Sequence, residues 1–149
     1  MQKNYIINEK TYYLNESNND LIVNELGEEH IINDLSQKKV LEQSCLYYGC
    51  SLKGRKDGTK NLINEKYKVP VIVNEKKLLT FFSIISRGNT TTVWLSYNNI
   101  ESYHQISKNK VLINFKNNYS KTFHTSYYVF HHQILKCSRL IVIYNNRNS

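Results

Sequence analysis

Two adjacent apolar runs in the middle of the chain constrain the fold most strongly. Residues 69–73 read VPVIV and residues 78–85 read LLTFFSII, and the polar segment NEKK separates them. β-branched and aromatic residues are typical of strands, and a nearly continuous apolar run indicates a strand that is buried on both faces. The pattern predicts a hairpin that is central to the core, in which Pro70 marks a sheet edge or the start of a strand.

Shorter strand-like runs, separated by polar and asparagine-rich turns, lie on both sides of this hairpin. They predict two N-terminal hairpins, 5–7 with 11–14 and 21–23 with 30–32, and later strands at 91–96, 100–106, 111–115 and 121–124. Because these runs follow one another with short connections, most of the strands are expected to pair antiparallel.

Helical periodicity appears in two segments. Residues about 36–48 carry an apolar stripe at helical spacing. Ser36 precedes the stripe and is a suitable N-cap. Gly49 follows it, at the position where a residue in the left-handed conformation often ends a helix. Residues about 126–144 carry a second stripe at helical spacing. The sequence therefore predicts one α+β domain over residues 1–149, with a predominantly antiparallel sheet, a mid-chain helix and a C-terminal helix.

Charge is distributed unevenly along the chain. Residues 1–34 carry two lysines and seven acidic residues, a net charge of −5, whereas residues 35–149 carry eighteen basic and five acidic residues, a net charge of +13. This asymmetry indicates an anionic partner, either nucleic acid or an anionic membrane surface. The alternative interpretation is that the positive charge only aids solubility.

The basic charge is concentrated around a glycine-rich stretch at residues 44–63. Glycine lets the backbone approach a ligand closely, and the interleaved lysine and arginine suit a phosphate-rich surface. We predict a loop that binds a phosphate-rich surface, and a solvated surface loop is the alternative. The candidate residues are Lys53, Gly54, Arg55, Lys56, Gly58, Lys60 and Asn61, with Arg87 in a second flexible loop.

The sequence contains no residue set that indicates catalysis, a cofactor or a metal. His131 and His132 would lie about 100° apart on a helix, so they make a poor chelating pair. Cys45 and Cys50 lack a second pair of ligands. Cys137 falls on the apolar stripe of the last helix, which indicates a core residue. The prediction is therefore a protein that is not an enzyme.

No apolar run is long enough to span a bilayer, and residues 1–10 lack the apolar core of a secretory signal. We expect a cytoplasmic protein that associates with the nucleoid. The main alternative is docking on an anionic membrane through the same basic face, although no basic amphipathic helix with an apolar insertion face is visible. A second alternative is binding to nucleic acid without sequence preference.

The stretch at 44–59 resembles the signature of the ComK family of competence transcription factors. The matching residues are Ser44, Cys45, Tyr47, Tyr48, Gly49, Ser51, Gly54, Arg55, Lys56, Gly58 and Thr59. Cys50 stands where the family usually has serine. The resemblance continues in KVPVIVN at 68–74, WLS at 94–96 and the helix that begins TSYYVFHHQ at 125–133.

The resemblance implies a bacterial activator of DNA-uptake genes that binds paired A·T-rich boxes as a homo-oligomer, largely through the minor groove, with RNA polymerase as a further partner. It implies that Arg55 enters the groove and that Lys56 binds phosphate. Phosphate contacts by Lys53 and Lys60, and a base-edge contact by Asn61, are predicted only because these residues are close in sequence. Family members usually continue past the last helix in a charged tail, whereas this chain ends at Ser149. A tail-less paralogue that binds DNA without activating is therefore the alternative.

Overall fold

The computed structural model describes residues 4–86 and 91–148 and confirms the α+β class. The N-terminal half contains β1 Thr11–Ser17, β2 Asp20–Glu25, β3 Glu28–Ile32, α1 Gln37–Tyr47, α2 Leu52–Ile63 and β4 Val71–Asn74. The C-terminal half contains β5 Leu79–Ser86, β6 Thr91–Ser96, a 3-10 turn Tyr97–Asn99, β7 Ile100–Ser107, β8 Lys110–Phe115, β9 Ser120–Phe123 and α3 Tyr127–Asn148.

The strands form two antiparallel sheets. A six-stranded sheet has the order β3-β2-β1-β6-β5-β4, and a three-stranded sheet has the order β7-β8-β9. Leu14 of β1 lies opposite Trp94 of β6, so the N-terminal strands extend the sheet that begins at the central hairpin. The predicted hairpin of residues 69–73 and 78–85 forms as β4 and β5, and its apolar residues are buried except Leu78 and Ile85. β4, which follows Pro70, forms one edge of its sheet.

The central strands of the six-stranded sheet are buried on both faces, whereas the edge strand β3 is largely exposed. On one face, Leu14, Val23 and Phe81 pack with residues of α1 such as Val40 and Leu41. On the other face, strand residues that include Tyr13 and Phe82 pack with β8, β9 and Phe130 of α3. Because alternate strand residues point to opposite faces, this three-layer arrangement explains the near-continuous apolar runs.

The first predicted hairpin is wrong at residues 5–7, which do not form a strand. Their backbone is instead fixed to α1 and the residue after it, because the N–H of Ile7 donates to Ser44 Oγ at 2.9 Å and Tyr48 Oη donates to the Ile7 carbonyl at 2.7 Å. The partners of β1 are β2 and β6. The second predicted hairpin is confirmed as β2 and β3, with Gly27 in the turn.

Candidate nucleic-acid interface

The basic, glycine-rich segment is a helix, and the prediction of a loop there is wrong. Leu52, Thr59 and Ile63 recur at helical spacing on α2 and are buried. Ile63 packs with Ile72 of β4 and Leu140 of α3. Burial of a large apolar side chain contributes about 1.5–3 kcal/mol, whereas a glycine inside a helix costs about 1 kcal/mol. The tertiary contacts of α2 therefore outweigh its two glycines.

Four residues join α1 to α2 and set the direction of α2. Gly49 has a φ of 95°, as expected for a residue that ends α1, and the N–H of Cys50 donates to the Cys45 carbonyl at 2.9 Å. Ser51 then caps α2, because its hydroxyl accepts from the N–H of Gly54 at 2.9 Å. Two helices joined by a short, glycine-containing turn form a helix-turn-helix type of connection.

The outward face of α2 combines positive charge with small side chains. Its exposed residues are Lys53, Gly54, Asp57, Gly58, Lys60 and Asn61. Lys53 Nζ pairs with Asp57 at 2.9 Å, one helical turn away, yet the Lys53 side chain remains 88% exposed. This contact raises the pKa of Lys53 and lowers that of Asp57, so both groups stay charged at neutral pH. We call this set the outer face of α2.

Gly58 has no packing role within the described part of the chain. A Cβ atom built on Gly58 would meet no heavy atom within 4 Å, whereas one built on Gly54 would lie 2.9 Å from Ser51 Oγ. Gly58 is inside α2 and its φ is not positive, so its backbone does not require glycine either. The close approach that glycine allows at this position is therefore available to a partner.

Arg55 points to the flank of α2 and not to its outer face. The guanidinium pairs with the carboxylate of Glu75, which also accepts a hydrogen bond from Tyr144 Oη at 2.8 Å. The Arg55 side chain is only 11% exposed, and its buried Nε has no partner among the described residues. Arg55 therefore connects α2 to the β4–β5 turn, and it would have to leave Glu75 to contact DNA.

Lys56 lies on the other flank, in a cleft of about 380 Å³ between α1, α2 and β6. Lys38 of α1 and Trp94 of β6 line the same cleft, together with the acidic Glu16. Lys56 is half-buried and forms one wall of this cleft beside a second lysine. Its ammonium group is thus placed to the side of the surface that Lys53 and Lys60 occupy.

The structure brings five of the predicted site residues onto one surface: Lys53, Gly54, Gly58, Lys60 and Asn61. Arg55 and Lys56 lie on the two flanks, and Arg87 lies outside the described residues. The sequence analysis missed Glu75 as the partner of Arg55. No local pattern indicates that contact, because the two residues are twenty positions apart and only the packing of β4 against α2 brings them together.

Cys45 and Cys137 are core residues, whereas Cys50 is half-buried. Burial raises the pKa of Cys45 to about 11 and also raises the pKa of Cys137, which is the opposite of what a thiolate nucleophile requires. Among residues 4–86 and 91–148, no group of three or more His, Cys, Asp or Glu side chains is placed to hold a metal ion. In the same ranges, no helix is long and apolar enough to cross a bilayer.

Comparison with known proteins gives one family and one similar curated protein. The sequence model of the family described as ComK protein matches residues 2–149. The competence transcription factor of Bacillus subtilis strain 168 is 22% identical over 109 residues, which cover 73% of this chain and 57% of the relative. The alignment therefore spans less than two thirds of the relative, and no solved structure matches. Because the family match extends over almost the whole sequence, this chain belongs to the ComK family.

Proposed function

We propose that this protein is a sequence-selective, double-stranded DNA-binding regulator of transcription, and that the outer face of α2 contacts the DNA. The observation that carries the proposal is the placement of two exposed lysines, an exposed asparagine and two glycines on one helical face. A similar protein bears the name competence transcription factor, which supports DNA-uptake genes as the targets. Cytoplasmic location, homo-oligomerisation, activation and contact with RNA polymerase belong to the same proposal.

Every residue of the outer face except Asp57 has a proposed role that fits its chemistry. Lys53 and Lys60 bind phosphates, because a flexible ammonium group is a strong point charge for the DNA backbone. Asn61 donates to a base edge. Gly54 and Gly58 let the helix backbone approach the phosphates without side chains in between. The outer face carries no apolar side chain to insert into lipid, so it favours DNA over a membrane surface.

We further propose that A·T-rich sites are read in the minor groove. A narrow A·T-rich minor groove has enhanced negative potential and attracts arginine. An α-helix with its side chains is about 10–12 Å wide and the groove is about 6 Å wide, so α2 itself cannot enter. Side chains must reach in from α2, and Arg55 is our candidate once DNA phosphates compete for it with Glu75. Lys56, on the flank of α2, and Arg87, which follows β5 in the sequence, are further candidates for contact with the DNA.

A second binding mode places α2 in the major groove. That groove is about 12 Å wide and admits an α-helix, and the short turn between α1 and α2 is the connection used by proteins that bind in this way. Because the segment is a helix and not a loop, this mode is a direct competitor of minor-groove reading.

Duplexes containing inosine separate the two modes. Replacing A·T pairs with I·C pairs keeps the minor groove free of the guanine amino group but gives the major groove a G·C-like pattern. Minor-groove reading predicts that the protein binds the I·C duplex about as tightly as the A·T duplex. Affinity at the level of a G·C duplex would instead assign recognition to the major groove.

The role of the lysines is tested with Lys53→Ala/Lys60→Ala in a salt titration. If both lysines bind phosphate, affinity falls for A·T-rich and G·C-rich duplexes alike, and the slope of log K against log[salt] falls by about 2. Lys108→Ala/Lys110→Ala, at two exposed positions of the β7–β8 turn and the start of β8, removes the same two charges and is the matched control. It should leave the slope almost unchanged. An equal loss in both proteins would mean that only net charge matters.

A further inference from the structure

A second cleft lies between the end of β5 and the first half of α3, and the segment that follows α2 forms part of its wall. It has a volume of about 400 Å³, in the range of ligand pockets, and its walls are mainly apolar. The lining residues on which the inference depends are Tyr67, Lys68, Ile85, Tyr128, His132 and Lys136.

The rim of this cleft carries two aromatic rings that the chain leaves uncovered. Tyr67 is 79% exposed and Tyr128 is 77% exposed. The ring of Tyr128 stacks on His132, with a centroid distance of 6.0 Å and an interplanar angle of 13°. Aromatic residues usually bury much of their area, so two exposed rings beside one cleft are available to a partner with flat surfaces.

The cleft wall is held in place by hydrogen bonds. Gln133, which is 4% exposed, donates through Nε2 to the carbonyls of Lys68 at 3.1 Å and Ser83 at 2.8 Å. Lys136 Nζ donates to the Tyr67 carbonyl at 3.1 Å. These contacts fix the segment that carries Tyr67 against α3, so the cleft is preformed.

The charge around the cleft is positive. Lys68 and Lys136 line it, and no acidic residue is among the described residues that line it. An anionic occupant is therefore favoured. Flat aromatic platforms beside cations are the combination that holds unpaired bases by stacking and their phosphates by charge, whereas a folded protein partner would require a larger surface.

The geometry points to a site for single-stranded nucleic acid, in which bases stack on Tyr67 and Tyr128 and the phosphates contact Lys68 and Lys136. This activity goes beyond duplex binding by α2 and does not depend on it. Stacking is tolerant of base identity, because every base has a π-face. We therefore expect binding with little sequence preference.

The test is fluorescence anisotropy with a labelled oligothymidylate of roughly 10 nucleotides at moderate salt, where nonspecific charge attraction is weak. Tyr67→Ala and Tyr128→Ala should each weaken binding by roughly 5-fold to 100-fold. Tyr67→Phe and Tyr128→Phe should retain most of the affinity, because they keep the ring. Tyr47→Ala is the matched control, since Tyr47 is 70% exposed on α1 and does not line the cleft.

The proposal is overturned if the alanine variants bind the oligothymidylate like the unmodified protein, or if Tyr47→Ala weakens binding equally. It is also overturned if a glutamate-rich peptide binds the cleft in a tyrosine-dependent manner and the oligothymidylate does not. Lys53→Ala/Lys60→Ala separates this site from the one on α2. That variant should lose duplex affinity and keep the tyrosine-dependent binding of the single strand, so either proposal can fail alone.

Discussion

Glu75 is the residue through which polar contacts join both α2 and α3 to the β4–β5 turn. Its carboxylate accepts from Tyr144 of α3 and pairs with Arg55 of α2. The hydrogen bond from Tyr144, followed by the contact with Arg55, lowers the pKa of Glu75 below its ordinary value of 4.5. The ionised form of Glu75 is therefore the one that holds the two helices to the β4–β5 turn.

The lowered pKa of Glu75 predicts how stability depends on pH. A carboxyl group with a lowered pKa stabilises the fold fully above its unfolded-state value, here about 4.5, and this contribution disappears as the pH falls through the folded-state value. We expect Glu75→Gln to be less stable than the unmodified protein at neutral pH, and the difference to shrink below about pH 4.5. Urea unfolding of both proteins from pH 7 to pH 3 measures it.

Glu28→Gln, at an exposed position on β3, controls for the loss of any acidic group. A stability difference between Glu75→Gln and the unmodified protein that stays constant over the whole pH range would show that the charge of Glu75 has no role.

The same substitution tests whether Arg55 reads DNA. If Arg55 must leave Glu75 to enter the groove, then Glu75→Gln makes that step easier and raises the affinity for an A·T-rich duplex. The increase should be at most about 5-fold, since a partly exposed ion pair contributes up to about 1 kcal/mol. The measurement is anisotropy with A·T-rich and G·C-rich duplexes. If both affinities change by the same factor, Arg55 is a structural residue only.

At the scale of the elements, α2 shows how local and tertiary signals differ. Residues close in sequence predicted Ser36 as the cap of α1, Gly49 at its end and most of the strands. These predictions are confirmed. Glycine-rich composition indicates a loop, but Ile63 is buried against Leu140 of α3, which lies far along the chain. Local composition therefore predicted the position of the candidate site and not its conformation.

The last helix shows the same competition between local preference and packing. The β-branched run at 141–143 favours a strand, yet α3 continues to Asn148 instead of ending near 144. Leu140, Ile143 and Tyr144 pack with the α2–β4 cluster, and this contact stabilises the helical form. The order of the six-stranded sheet could not be predicted from local sequence patterns either, because β1 pairs with β6, which lies about eighty residues further along the chain.

Gly58→Ala separates folding from DNA binding within α2. Alanine is favoured over glycine inside a helix, and open space surrounds the position, so the substitution should stabilise the fold by about 0.5–1 kcal/mol. If the outer face of α2 lies against DNA, the added methyl group should at the same time weaken duplex binding. Urea unfolding and anisotropy on the same protein measure both effects.

Ser138→Ala is the matched control for this experiment, because it improves helix propensity at an exposed position of α3 outside the outer face of α2. It should leave DNA binding unchanged. A Gly58→Ala protein that is more stable and binds DNA with full affinity would contradict close contact between DNA and α2.

For the whole molecule, the sheet order places an acidic edge strand and the α2 side of the protein at opposite ends. β3, which carries the exposed Glu28 and Glu29, lies at one edge of the six-stranded sheet. β4 lies at the other edge and packs against α2. Residues 1–34 have a net charge of −5 and the rest of the chain +13. This segregation favours an approach of DNA from the α2 side and disfavours it from the β3 side.

The most direct test of sequence-selective duplex binding is a gel-shift titration with two duplexes of equal length. One carries two A-tract/T-tract boxes and the other is G·C-rich, and both are titrated at low and at near-physiological salt. Our proposal predicts stepwise shifts on the A·T-rich duplex, at least about 10-fold tighter than on the G·C-rich one, that persist at the higher salt. Equal binding to both duplexes that disappears as salt rises would contradict it.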